Sequence, residues 1–195
     1  MKFQLSAVLI AMVFATAVQA QHVNIGIKAG LNLYNIKYNN DVEYDMKPGL
    51  HAGLLGHIHI TKNFAVQPEL LFSSQGAKYK TGGETTKLNL NYLNVPILLQ
   101  YMFDNGFRIE AGPQVGFLLT AKVDDGTTKT DVKSDLKPLD VGLGLGIGYI
   151  HVPSGFGVDA RYNLGLSNIN DEDNSSVKAN NRGFQVGVFY QFKHK

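Results

Sequence analysis

The chain has 195 residues, no cysteine, a formal net charge of +2 and 17% charged residues, below the roughly 25% of an ordinary soluble domain. Zero cysteine excludes a disulfide framework and thiolate metal sites, and the near-balanced charge gives no electrostatic basis for binding nucleic acid. The length fits one domain, and beyond residue 20 no apolar run reaches the ~18 residues of a spanning-helix candidate.

Residues 1–20 read as a secretory signal peptide that is cleaved on export. Lys2 supplies the positive start, residues 5–17 an apolar run too short to span a bilayer, and Val18-Gln19-Ala20 the small-residue pattern before a cut. Residues 21–195 are then one domain. No cysteine follows the cut, so a lipid-anchored lipoprotein is not expected.

From residue 23 onward the pattern has period two. It predicts strands over 23–34, 49–60, 64–75, 88–102, 107–121, 139–150, 156–167 and 182–192. In the first strand Val23, Ile25, Ile27, Ala29, Leu31 and Leu33 share a face, and in the last Phe184, Val186, Val188, Tyr190 and Phe192 do so. None of the positions on this face carries a charge. The interleaved face is polar and rich in glycine, with Leu55, Ala65, Leu71, Leu98, Leu118 and Phe189 as its apolar exceptions.

Connections alternate between long (35–48, 76–87, 122–138, 168–181) and short (61–63, 103–106, around 153–155). Long loops on one side and tight turns on the other predict an all-β, eight-stranded antiparallel up-and-down transmembrane β-barrel with both chain ends at the periplasmic side. A soluble barrel would also alternate. However, an eight-stranded interior is only wide enough for side chains to fill, so so many apolar residues must point outward, and the glycine-rich face lines the lumen. Within 88–102 the phase changes: Leu88 and Leu90 share the parity of Tyr92, while Leu93, Val95, Ile97 and Leu99 take the other. Either the upper segment projects beyond the membrane or a bulge lies near Tyr92.

Outward aromatics Phe64, Tyr101, Phe107, Tyr149, Phe156 and Phe192 fall at strand ends on the short-turn side, the position of a periplasmic aromatic girdle. On the inward face Lys28, Glu69, Arg108, Glu110, Asp159 and Arg161 sit two to six residues above those turns. Three positive and three negative groups at similar height predict a lumen charge network, since each alone is costly to bury. His51, His57 and His59 share the inward parity; a metal site is conceivable, but they read better as lumen histidines. Ser73 with His51 or His57 and Glu69 has the residue types of a hydrolytic relay but no nucleophile motif. Asn168, Asn170, Asp171, Glu172, Asp173 and Asn174 offer hard oxygen ligands, and Lys78, Lys80 and Lys87 suit lipid phosphates; solvated loops explain both sets. No catalytic, cofactor or metal site is expected.

The segments GIKAGLNL, QPELLFSS, YLNVPILLQY, AGPQVGFLL, DVGLGLGIGY, ARYNLGLSNI and FQVGVFYQF, in that order, resemble the PorT-like outer-membrane β-barrel family across nearly the whole chain after residue 20. The resemblance implies an eight-stranded porin-like barrel in the outer membrane of a Gram-negative cell, with a link to protein secretion in one member. Tyr190-Gln191-Phe192 resembles the terminal signal read by the barrel assembly machinery, although Lys193-His194-Lys195 follow it. The expected function is an integral outer-membrane protein with a structural or binding role through its external loops, not an enzyme. Expected partners are outer-membrane lipid and lipopolysaccharide, the assembly machinery during insertion, and an envelope or secretion protein. A narrow porin-like channel or secretion accessory is the first alternative, and a lipid-modifying enzyme the second.

Overall fold

The computed structural model describes residues 23–39, 44–81, 84–171 and 177–192; the expected signal peptide lies outside the described residues. The strands are β1 (Val23–Tyr38), β2 (Asp45–His59), β3 (Phe64–Thr81), β4 (Glu84–Met102), β5 (Phe107–Asp124), a short β6 (Lys129–Asp131), β7 (Leu139–His151), β8 (Phe156–Gly165) and β9 (Ala179–Gln191). Every neighbouring pair is antiparallel. The sheet runs β4-β3-β2-β1-β9-β8-β7-β5, and pairing of β4 with β5 closes it into an eight-stranded ring, with β6 an extra rung on β5. Closure leaves no unpaired edge, the condition for strands to cross a bilayer.

The face assignment follows the sequence pattern. Ile25, Leu31, Leu50, Leu54, Leu145, Val186 and Val188 are about half exposed on the outside, while Leu55, Ala65, Leu71, Leu98, Leu118 and Phe189, the apolar exceptions on the inner face, are all buried. Gly106 and Gly155 hold the tight turns with φ of 89° and 80°, values that a side chain would strain.

Two expected long loops are shorter than the sequence suggested. Residues 35–38 and 45–48 continue β1 and β2, and 76–81 and 84–87 continue β3 and β4. The reason lies in the cross-strand partners. Asp45 faces Lys78, Lys78 faces Lys87, Lys87 faces Asp124, and Asp124 faces Lys129. Three of these four register partners are of opposite charge, an arrangement that favours pairing of polar strands, and Lys129 lies 3.5 Å from Asp124. Lys78, Lys80 and Lys87 therefore belong to strands, not to a loop.

The phase change in β4 also resolves. Leu88, Leu90, Tyr92, Asn94 and Leu98 all lie on one inward parity, and the irregularity sits on the partner, where Asn91 pairs with Thr120 and Tyr92 with Leu118. Leu119 is the extra residue of a bulge in β5. It turns Ala121, expected on the lipid face, into a fully buried inner residue.

The two remaining external connections fold back over the barrel mouth. Lys137 N donates to Ile169 O at 2.8 Å and Ile169 N to Ala179 O at 2.9 Å, while Leu136 bridges Asn170. The Asn168 side-chain oxygen accepts from the backbone N–H of Asn170 and Ala179, so it shapes the loop instead of waiting for a metal. Glu172, Asp173 and Asn174 lie outside the described residues. At the β5–β6 turn the backbone N–H groups of Thr128 and Thr127 hold the Asp125 carboxyl below the usual carboxylate range.

Candidate functional site: the filled lumen

The lumen is filled in three layers. The lowest, toward the short turns, is ionic. Arg161 on β8 reaches across the ring to Glu69 on β3, with Nη1 and Nη2 donating to the two carboxylate oxygens at 2.9 Å each. Its Nε and Nη2 also donate to Glu110 Oε1 on β5 at 3.0 and 2.8 Å. Lys28 on β1 lies 2.8 Å from Asp159 and 3.7 Å from Glu69. The remaining acceptor positions are met by amides: Gln67 donates to Glu69 and Gln100 to Glu110, both at 2.7 Å. A guanidinium forked onto two carboxylates is the geometry in which a buried charge is compensated.

Arg108 differs from the other five charges expected here. Among the described residues it has no carboxylate within ion-pair distance; Nη1 donates to Gln100 at 3.3 Å, and the guanidinium lies 4.3 Å over the Phe189 ring. It joins the layer through an amide and a ring face.

The glycines of β7 make room for this layer. A Cβ on Gly144 would lie 3.2 Å from Arg161 Cδ, one on Gly146 2.8 Å from Glu110 Oε1, and one on Gly148 3.1 Å from Arg108 Nε. The GLGLGIG run in β7 is thus the smooth wall against which the charged side chains lie.

A middle layer of neutral polar groups follows. Asn32 donates to Leu50 O and Ser73 Oγ at 3.0 Å, and its oxygen meets His51 Nδ1 at 2.8 Å and Gln185 Nε2 at 3.2 Å. Asn163 donates to Tyr34 Oη at 2.8 Å. Ser73, His51 and Glu69 do not form a relay: Ser73 accepts from Asn32 and Gln75, and Glu69 is held by Arg161. His57 and His59 stack edge to face at 4.6 Å. Among the described residues no group of three or more His, Cys, Asp or Glu is placed to hold a metal ion.

The uppermost layer is an apolar core not expected from the sequence. Ile36, Ala77, Leu90, Tyr92, Leu118, Ala121, Ile169 and Ala179 pack together, each 5% exposed or less. Its signals were the continued inward run Tyr34, Ile36, Tyr38 and the parity of Leu88, Leu90 and Tyr92. The polar connectors Gln67, Gln100, Asn32 and Gln185 were also missed, although all share the inward parity.

On the outside, Phe64 meets Tyr101 at 5.1 Å, Tyr101 meets Phe103 at 5.0 Å and Phe103 meets Phe107 at 5.7 Å; Phe107 pairs in register with Tyr149. On the far wall Phe156, Tyr190 and Phe192 are in contact at 4.7 and 5.1 Å. Phe103 and Tyr190 thereby join the six aromatics expected at this level.

A closed ring of eight antiparallel strands with an apolar outer wall, aromatic contacts at one rim and a compensated polar interior defines an integral outer-membrane β-barrel. The chain belongs to the outer membrane protein beta-barrel domain family, whose pattern matches residues 19–171. Among solved structures it is similar to Neisserial surface protein A (14% identity, TM-score 0.56, covering 88% of this chain and 99% of that one). It is also similar to Ail, the attachment invasion locus protein of Yersinia pestis (16% identity, TM-score 0.52, 87% and 98% covered). The same Ail protein in complex with the heparin analogue sucrose octasulfate gives 13% identity and a TM-score of 0.55, with 88% and 99% covered. At these identities the likeness is one of fold. No protein of curated function matches the sequence.

Proposed function

We propose that the protein is a closed outer-membrane anchor, exported by its signal peptide, whose external end performs a binding role and whose lumen conducts nothing. The observation that carries this reading is the filling of the lumen. Arg161, Glu69 and Glu110 tie opposite walls together, and above them the core around Tyr92 and Leu118 closes the external half. Glu69, Glu110 and Asp159 are spent on Arg161 and Lys28, and Asp140 is held by Ser167 and Asn181, which argues against a catalytic carboxylate and against a water-lined path.

The external end has the features of a contact surface. Its strands extend on a row of charged residues laid opposite one another in register, and the 132–138 and 166–171 segments are bonded into a defined cap. A barrel of this fold, Ail, takes a heparin analogue, which supports a binding role. Lipopolysaccharide phosphates would meet Lys78, Lys80 and Lys87 at the strand ends, and the order of strand motifs supports membership of the PorT-like group with an envelope or secretion protein as partner. The barrel assembly machinery would insert the chain through its aromatic C-terminal strand.

The test is to incorporate the refolded barrel into planar bilayers, and separately to cross-link from Lys133 in intact outer membranes. Absence of conductance steps together with a defined cross-linked envelope protein or lipopolysaccharide supports the reading. Regular single-channel steps would overturn it in favour of the channel.

A further inference from the structure

A cavity of about 300 Å³ opens at the short-turn end of the barrel, beneath the ionic layer. Its floor and walls include His57, His59, Arg108 and Gln191; Met102, Ile150 and Val152 give it an apolar side. Four buried polar atoms here have no partner within the protein: Arg108 Nη2, Gln191 Nε2, His57 Nδ1 and His59 Nδ1. Arg108, His57 and Gln191 are themselves 2%, 2% and 6% exposed. Two of the four atoms can only donate, and each imidazole nitrogen donates in the right tautomer. Lys28 and Arg161 each have a carboxylate within ion-pair distance, and the buried Lys47 gives its ammonium to Gln75 O, whereas Arg108 has no carboxylate at that distance and keeps one nitrogen that no protein acceptor meets. Lys62 at the rim is already paired with Asp104 at 3.0 Å.

A buried guanidinium held by Gln100 and Phe189, with a free nitrogen and with the free Gln191 amide lining the same cavity, is suited to receive an oxyanion. Water accepts hydrogen bonds but brings no charge. The volume is the share of about ten waters, at the lower end of small-molecule sites, so a bare inorganic anion would leave most of it, including the apolar side, unfilled.

We propose that this periplasm-facing cavity binds a small organic carboxylate, its oxyanion on Arg108 and Gln191 and its apolar body against Met102, Ile150 and Val152. The site is distinct from the external surface and does not depend on what that surface binds.

The test titrates the refolded, isotope-labelled barrel with N-acetyl-leucine, with its neutral analogue N-acetyl-leucinamide, and with inorganic phosphate, following the amide signals of Gly106, Gly155 and Gln191. Saturable shifts are expected with the carboxylate and weaker binding, by about tenfold or more, with the amide and with phosphate. Arg108→Met should weaken carboxylate binding by at least about tenfold. Because that variant disturbs a buried residue, Val152→Asp is the companion: the position is 62% exposed, so folding is preserved, and a carboxylate at the rim should repel the ligand. Equal binding of the amide would show an apolar crevice, and equal binding of phosphate an inorganic-anion site; either overturns the proposal. So does a lack of saturable shifts, or unchanged affinity in Val152→Asp.

Discussion

Arg161 is the residue on which the ionic layer depends, and a double-mutant cycle with Glu69 tests its role. Arg161→Met removes four hydrogen bonds to two carboxylates, leaving Glu69 with Gln67 and a Lys28 at 3.7 Å that already serves Asp159, and leaving Glu110 with Gln100. One stranded buried charge costs about 3 to 5 kcal/mol, and Arg161→Met should fall in that range. Glu69→Gln should cost less, about 1 to 3 kcal/mol, because Arg161 keeps Glu110 and the cost is that of poorly met hydrogen bonds. The double variant removes one charge of each sign, so it should be less destabilised than the sum of the two, with a coupling energy of about 1 to 3 kcal/mol. Urea unfolding of the refolded barrel, followed by far-UV circular dichroism and by the heat-modifiable gel band, gives all four free energies. A coupling energy near zero would refute the reasoning, and a stability loss in Glu69→Gln larger than in Arg161→Met would show that the charges are arranged differently.

Leu145 is 48% exposed on the outer wall, so Leu145→Ala should be mild, whereas Leu145→Arg should cost about 2 to 4 kcal/mol near the bilayer midplane; equal urea midpoints in lipid vesicles would contradict the face assignment. Gly146→Ala places a Cβ 2.8 Å from Glu110 Oε1 and 2.9 Å from the Ala160 carbonyl oxygen, and the overpacking should cost about 1 to 3 kcal/mol in the same assay. Deleting Leu119 removes the β5 bulge but leaves Leu118 and Ala121 inward with Thr120 and Lys122 outward, so the external half should keep its protection against hydrogen exchange, and loss of that protection would contradict Leu119 as the extra residue.

The strand pattern was legible because the lumen-facing and lipid-facing sets alternate without a break, and because period two survives even where residues are polar. The charge layer was legible as a set of heights: parity and distance from the turns brought Lys28, Glu69, Glu110, Asp159 and Arg161 to one level. Which charge meets which was not, since it depends on the register of strands remote in sequence, and Arg108 ended on a ring and an amide. The ends of the strands were misjudged for a related reason. Asp45, Lys78, Lys87 and Asp124 each look like loop residues alone and become strand residues only when laid opposite one another. The apolar cap was hidden by the bulge at Leu119, which reverses the parity of Ala121, and by Ile169, which reaches the core from a loop with no periodicity.

The central claim is that the apolar wall faces lipid, and the absence of cysteine from the chain makes it directly measurable. A single cysteine at Val186, which is 59% exposed, carries a nitroxide label in the barrel reconstituted in vesicles, with a second label at Asp125 as a loop control. Collision with lipid-dissolved oxygen should be frequent at position 186 and collision with a water-soluble nickel complex rare, the reverse of position 125. Frequent nickel collisions at 186, or an immobilised label reached by neither reagent, would contradict the account.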